Sequence, residues 1–314
     1  MTDSIEQRAP GSDRLVTIVG LGLLGGSLGL ALRRHGWRVR GVVRRPEAAR
    51  EAMDLGIADE VVCEAALGED ESAGAVVLAV PIKALVASLE RFRGRLPRGT
   101  VITDVSSVKG AIMHDLDRLA AGEGWRFVGS HPMAGAETSG MASARADLFR
   151  DAWVAVCRGV TADESAVALV RGIWGRVGGR CLELDPQDHD RIVARTSHLP
   201  HLVAALLVLV GIGDNAPAEA PKLAAGGFRD STRIAAGPPE MWRQIMQANH
   251  TELGAAVRQF AAELSAAAAL LEQGRGPELE GVLTTASELR RAWRGSGDPA
   301  AGEPCGEADP EGDE

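Results

Sequence analysis

The chain has 314 residues, with 43 acidic and 34 basic side chains and a formal net charge of -9. At roughly 100 to 200 residues per domain the length implies two domains, and 45% hydrophobic residues suffice for a substantial core, which excludes disorder throughout. The acidity argues against a nucleic-acid partner, whose binding rests on an excess of Lys and Arg facing phosphates.

Residues 1–13 are polar and irregular. The apolar stretch Leu15 to Leu32 follows Arg8 and Arg14, yet Gly20, Gly22, Gly25, Gly26 and Gly29 mark a strand turning into a helix and not a leader peptide. Short β-branched runs then alternate with helical stretches, the pattern of parallel βαβ units. Strands are predicted from Leu15, Trp37, Ala75, Thr100 and Arg126, with helices over Leu24 to His35, Pro46 to Leu55, Lys83 to Phe92 and Lys109 to Ala121. Two more strands, Trp153 to Cys157 and Arg180 to Leu184, flank a helix near Asp163 to Val177 and extend the sheet at one edge.

The pattern changes at Asp185-Pro186, an N-cap followed by proline at the first helical position. Helices are predicted over Gln187 to Ile212, Pro239 to Gln273 and Pro277 to Arg294, the first kinked at Pro200. Leu202 to Ile212 has 11 residues, too short for a helix to cross a bilayer core of about 30 Å, so no membrane is expected. From Asp298 to Glu314 there are seven acids and no Lys or Arg, which predicts a disordered acidic tail. The expected organisation is an irregular segment 1–13, a Rossmann-type doubly wound α/β domain over 14–184, an all-α domain over 185–294 suited to dimerisation, and a tail over 295–314. Cys63, Cys157, Cys181 and Cys305 form no C-x-x-C pair, so reduced thiols in a cytoplasmic protein are expected and no zinc site is indicated.

Gly20-Leu21-Gly22-Leu23-Leu24-Gly25 is a G-x-G-x-x-G motif placed after a strand and at the start of a helix, the context a dinucleotide site requires. Gly20 permits the tight turn, Gly22 close approach of a pyrophosphate, and Gly25 close packing of helix on strand. At the end of the second strand an acid ordinarily bonds the ribose 2′-hydroxyl of NAD. Here Arg44 and Arg45 stand there instead, which favours NADP over NAD; NAD held through other contacts is the alternative.

Three polar clusters are unexplained by packing: Asp104 to Lys109, Gly129 to Gly140, and Ser197 to His201 with Arg229 to Arg233. The first two follow strand carboxyl ends, where ligands bind in open α/β sheets, so Ser107 and His131 are expected to face a nicotinamide. His131 is the expected catalytic group.

These motifs resemble the prephenate and arogenate dehydrogenases of tyrosine biosynthesis: VGLGLLGGSLGLAL, DVSSVKG, GSHPMAGAETSG, DPQDHD with TSHLPH, and GFRDSTRIA with Met241-Trp242, in that order from about Leu15 to Arg294. The resemblance implies a nucleotide domain followed by a helical dimerisation domain, a homodimer, NAD or NADP bound with contacts from Val80 and Pro81, and oxidative decarboxylation of prephenate to 4-hydroxyphenylpyruvate. It makes His131 the group that accepts the ring-hydroxyl proton and Ser107 its orienting partner. It makes Arg233 the clamp on the ring carboxylate, places His198, Gly237 and Trp242 along the pocket, and puts Glu137 at the pocket mouth. Gly237 departs from the serine sometimes found there, so a side-chain contact is lost.

The nearest rival is arogenate dehydrogenase, which shares these motifs. A β-hydroxyacid dehydrogenase would carry a lysine on the first interdomain helix, where this chain has Arg191 and Arg195. A metal protein built on His189, His198 and His201 is disfavoured by Pro200 and by the lack of further ligands, so no metal is expected. A catalytically silent dinucleotide sensor is disfavoured by the joint presence of His131, Ser107 and Arg233.

Overall fold

A computed structural model describes residues 15–66, 74–135 and 138–293. Glu137, the acidic tail, Cys305 and residues 1–13 therefore lie outside the described residues. Among the described residues, one compact unit ends at Pro186 and a second begins at Gln187.

The first unit is built on an eight-stranded sheet. Its strands are β1 (Leu15–Val19), β2 (Arg38–Val43), β3 (Glu60–Cys63), β4 (Ala75–Leu78), β5 (Val101–Asp104), β6 (Arg126–Pro132), β7 (Trp153–Arg158) and β8 (Arg180–Glu183). They lie in the order β3-β2-β1-β4-β5-β6-β7-β8. The first six are parallel, β7 runs antiparallel to β6, and β8 is parallel to β7. The order reverses between β1 and β4, which opens a crevice at the strand carboxyl ends. Central strands such as AVVL of β4 are fully buried, so they read as unbroken apolar runs without alternation.

Helices cover both faces: α1 (Leu23–Arg34), α2 (Pro46–Asp54), α3 (Leu85–Glu90), α4 (Gly110–Glu123) and α5 (Glu164–Arg176). One core joins Val16, Ile18, Leu28, Leu32, Phe149 and Trp174; the opposite face holds Val76, Leu78, Leu89, Leu116, Trp125 and Phe127. Asp163 caps α5 by accepting from the Ala166 amide at 2.8 Å.

The second unit is helical: α6 (Pro186–Val193), a π-helical turn (Ala194–His198), α7 (Leu199–Ile212), α8 (Ala220–Leu223), α9 (Gly226–Thr232), a 3-10 turn (Arg233–Ala236), α10 (Pro239–Ala248), α11 (His250–Glu272) and α12 (Gly276–Ala292). Its interior is thin. Leu209, Val210, Leu264, Leu271 and Leu283 are each more than half exposed, so α7, α11 and α12 leave apolar faces open in a single copy.

Several expectations are corrected. β3 was missed because only Val61 and Val62 mark a four-residue strand at the sheet edge. Pro239 to Gln273 is two helices, broken at Asn249. The irregularity expected at Pro200 falls one turn earlier, as the π turn, since proline gives no amide to the preceding turn. The helical run Pro186–Ile212 has 27 residues and is long and apolar enough to cross a bilayer by length and composition, unlike the 11-residue stretch considered above. It also carries the buried polar residues His189, Asp190, His198 and His201. Among the described residues, Cys63 and Cys157 carry thiols outside any disulfide.

Candidate active site

In the first unit the glycine loop closes the turn from β1 into α1. Gly20 has φ +90°, a conformation that favours glycine, and its amide donates to the Val42 carbonyl at 2.9 Å. A Cβ on Gly25 would lie 2.0 Å from the Gly20 carbonyl oxygen, so helix and turn are in backbone contact. Gly22 differs: a Cβ there would meet nothing within 4 Å. Gly22 is the N-cap of α1 and no side chain caps the helix. The first amides of α1, at Leu23, Leu24 and Gly25, therefore face a space that is free of protein atoms at Gly22, and they carry the positive end of the helix dipole. This is a fit for a pyrophosphate.

The neighbouring strand ends complete that edge. Val80 packs against Gly20, its Cγ1 standing 2.8 Å from where a Gly20 Cβ would be, and Pro81 begins a short 3-10 turn just beyond. Arg44 and Arg45 follow β2, are exposed, and form no ion pair among the described residues.

Beyond β5 the chain turns through a buried polar network. Asp104 and Lys109 are both fully buried and meet at 2.5 Å. Asp104 Oδ2 also accepts from the Ser106 amide at 2.9 Å and from its hydroxyl. Asp104 Oδ1 accepts from the Ser130 amide at 3.1 Å, which ties the end of β5 to β6 one residue before His131. Ser130 Oγ in turn accepts from Trp174 Nε1 at 3.0 Å on the α5 face. Because side chains alternate along a strand, His131 projects to the other face, the one on which the Lys109 stem crosses Gly129. His131 is 9% exposed, and Ser107 is half-buried on the loop after β5.

The second unit gathers another set. His201 stacks on Trp242, centroids 3.6 Å apart and planes 15° from parallel, while His198 meets the same indole edge-on at 6.3 Å. A Cβ on Gly237 would lie 2.7 Å from Trp242 Nε1 and 3.2 Å from His201 Cε1. Glycine at this position is thus a packing requirement of the stacked pair and not merely a lost contact. Burial lowers the pKa of His198 to about 4, partly opposed by Asp190 and reinforced by His189, and burial also lowers that of His201. His198 Nε2 and His201 Nδ1 are buried with no protein hydrogen-bond partner. Arg233, exposed, opens the 3-10 turn four residues before Gly237.

Sequence reading weighed His201 only for metal and missed its stack on Trp242. Its signal was the i,i+3 spacing from His198, which puts both rings on one helix face.

Family models for the prephenate dehydrogenase nucleotide-binding domain and dimerization domain match residues 28–183 and 185–285. The chain belongs to the prephenate dehydrogenase family. It is 32% identical over 279 residues to the prephenate dehydrogenase of Bacillus subtilis, covering 88% of this chain and 75% of that protein. A crystal structure of the Aquifex aeolicus prephenate dehydrogenase with hydroxyphenyl propionate and NAD+ superposes with a TM-score of 0.83 at 33% identity, over 90% of this chain and 99% of that one. The Synechocystis arogenate dehydrogenase follows at 0.76 and 30% identity, over 88% and 99%. Like its relatives, this prephenate dehydrogenase family member is an NAD(P)-dependent oxidoreductase with a Rossmann-type domain and a dimerisation domain.

Proposed function

We propose that the chain oxidatively decarboxylates prephenate to 4-hydroxyphenylpyruvate, with NADP preferred over NAD. The observation that carries this reading is the carboxyl edge of the sheet, where His131, near the end of β6, and Ser107, after β5, stand on the edge that bears the Gly20 to Gly25 cradle. When bound, the nicotinamide supplies the hydride acceptor. His131 accepts the proton of the ring hydroxyl as the C4 carbon becomes a carbonyl, and loss of the C1 carboxylate as CO2 leaves an aromatic ring. Ser107 orients the hydroxyl and the imidazole. A neutral imidazole is suited to accept this proton at cellular pH.

Arg233 clamps the ring carboxylate through its planar guanidinium. His198, His201, Gly237 and Trp242 contact the substrate, a role that the family resemblance also gives to Glu137. Arg44 and Arg45 take the 2′-phosphate, a role supported by their exposure and lack of ion pairs among the described residues. Val80 and Pro81 flank the dinucleotide.

We further read the protein as a cytoplasmic homodimer joined through its helical unit, with neither membrane nor nucleic acid as partner. The exposed apolar faces of α7 and α11 support the dimer, and the buried polar groups of Pro186–Ile212 support a packed helix over a membrane span. Arogenate is the second reading, favoured by the likeness to an arogenate dehydrogenase. Incubation with prephenate and NADP tests the proposal: reduced cofactor and 4-hydroxyphenylpyruvate in equal amounts are expected, and reduced cofactor without that product would overturn it.

A further inference from the structure

Asn249 stands between α10 and α11 and is the N-cap residue of α11, yet its side chain makes no capping hydrogen bond. Asparagine at this position ordinarily turns its carbonyl oxygen to the amides of the next turn. Here the side chain is 4% exposed and points inward. Its Nδ2 donates to the Asp190 carbonyl oxygen at 2.8 Å and lies 3.1 Å from His198 Nδ1.

The first bond settles the second. A backbone carbonyl is an acceptor only, so the amide nitrogen and not its oxygen must face Asp190. The remaining N–H of the same nitrogen then points at His198 Nδ1, which accepts it. A neutral imidazole that accepts at Nδ1 carries its proton on Nε2. His198 Nε2 is buried and has no protein partner. Two titratable groups adjoin it, and they are engaged with each other: His189 Nδ1 and Asp190 Oδ1 are 2.8 Å apart.

We infer that Asn249 is a positioning residue that holds His198 as the neutral Nε2–H tautomer and so presents one buried N–H donor to an oxygen of the bound substrate. This rests on the reading of His198 as a pocket residue for prephenate. An unsatisfied buried donor is costly to keep, and a carboxylate or carbonyl oxygen of the ligand satisfies it. His198 closes the π turn Ala194–His198, a local irregularity of the kind frequent at functional sites.

The test uses the full chain with 15N-labelled histidine, and His198 is identified by the signals lost in His198→Gln. Nitrogen shifts and couplings in the ligand-free protein are expected to report Nδ1 unprotonated and Nε2 protonated at neutral pH. In Asn249→Ala this preference is lost. KM for prephenate rises about ten- to a hundred-fold in Asn249→Ala, kcat changes less, and the substitution has no further effect on KM in a His198→Gln background. A protonated Nδ1 in the wild-type protein would overturn the inference, as would independent effects of the two substitutions. If no prephenate is turned over while the tautomer is as stated, the reading of the substrate fails and the positioning by Asn249 stands.

Discussion

The Lys109 ammonium sits 2.5 Å from the Asp104 carboxylate, and neither side chain has any contact with solvent. This pair, with Ser106 and the Ser130 amide, sets where the chain leaves β5 and how β6 arrives at His131. Removing one partner of a buried pair strands the other charge, at a cost of about 3 to 5 kcal/mol. Lys109→Met should therefore lower the unfolding free energy by that order in urea titrations. Lys109→Met combined with Asp104→Leu should recover part of the loss, and a single substitution costing less than about 1 kcal/mol would show that the pair does not hold this edge.

Gly22 separates folding from binding. Because a Cβ at Gly22 meets nothing within 4 Å, Gly22→Ala should leave thermal stability nearly unchanged. The same methyl enters the space assigned to the pyrophosphate, so Kd for the dinucleotide should rise at least about tenfold, or 1.4 kcal/mol. An unchanged Kd in calorimetry would place the phosphates elsewhere.

Much of this arrangement was legible in the chain. The glycine loop, seven of the strands and the change at Asp185 were readable because each is a local pattern: alternation of βα runs, punctuation by glycine, an N-cap before proline. β3 carried only two valines and gave no such pattern. The break at Asn249 hid inside an Ala/Leu-rich run because asparagine there serves His198 and not the helix. The Asp104 and Lys109 pair was visible as a polar cluster, yet its burial depends on strands β5 and β6 meeting, which no single segment encodes.

Acidification should destabilise the fold through His198. Its pKa is lowered from 6.5 in the unfolded reference to about 4 in the folded chain, chiefly by burial. Between those values the unfolded state binds a proton that the native state does not, so stability is full above pH 6.5 and declines as pH falls towards 4, by up to about 3 kcal/mol. His201 shifts in the same direction and adds to the decline. Unfolding free energies measured across this range should show a shallower slope, by about one proton, in His198→Gln than in the wild type; identical slopes would refute the assignment.

His131 and Arg233 should separate in kinetics. General-base catalysis contributes roughly 10² to 10⁴-fold, so His131→Asn should lower kcat by that order and leave KM within a few-fold. Arg233→Ala should chiefly raise KM for prephenate, by about ten- to a hundred-fold, since a charge-assisted hydrogen bond contributes about 1.5 to 3 kcal/mol. Steady-state rates with prephenate decide both, and a KM unmoved by Arg233→Ala would locate the carboxylate clamp elsewhere.

The most direct measurement is a two-by-two set of initial rates, prephenate or arogenate against NADP or NAD, for the wild-type chain and for Arg44→Ala combined with Arg45→Ala. The highest kcat/KM is expected for prephenate with NADP, and the double substitution should lower it by about ten- to a hundred-fold while leaving the NAD rate in place. A preference for NAD above tenfold would contradict the role given to the two arginines, and no turnover of prephenate with either cofactor would contradict the proposed reaction itself.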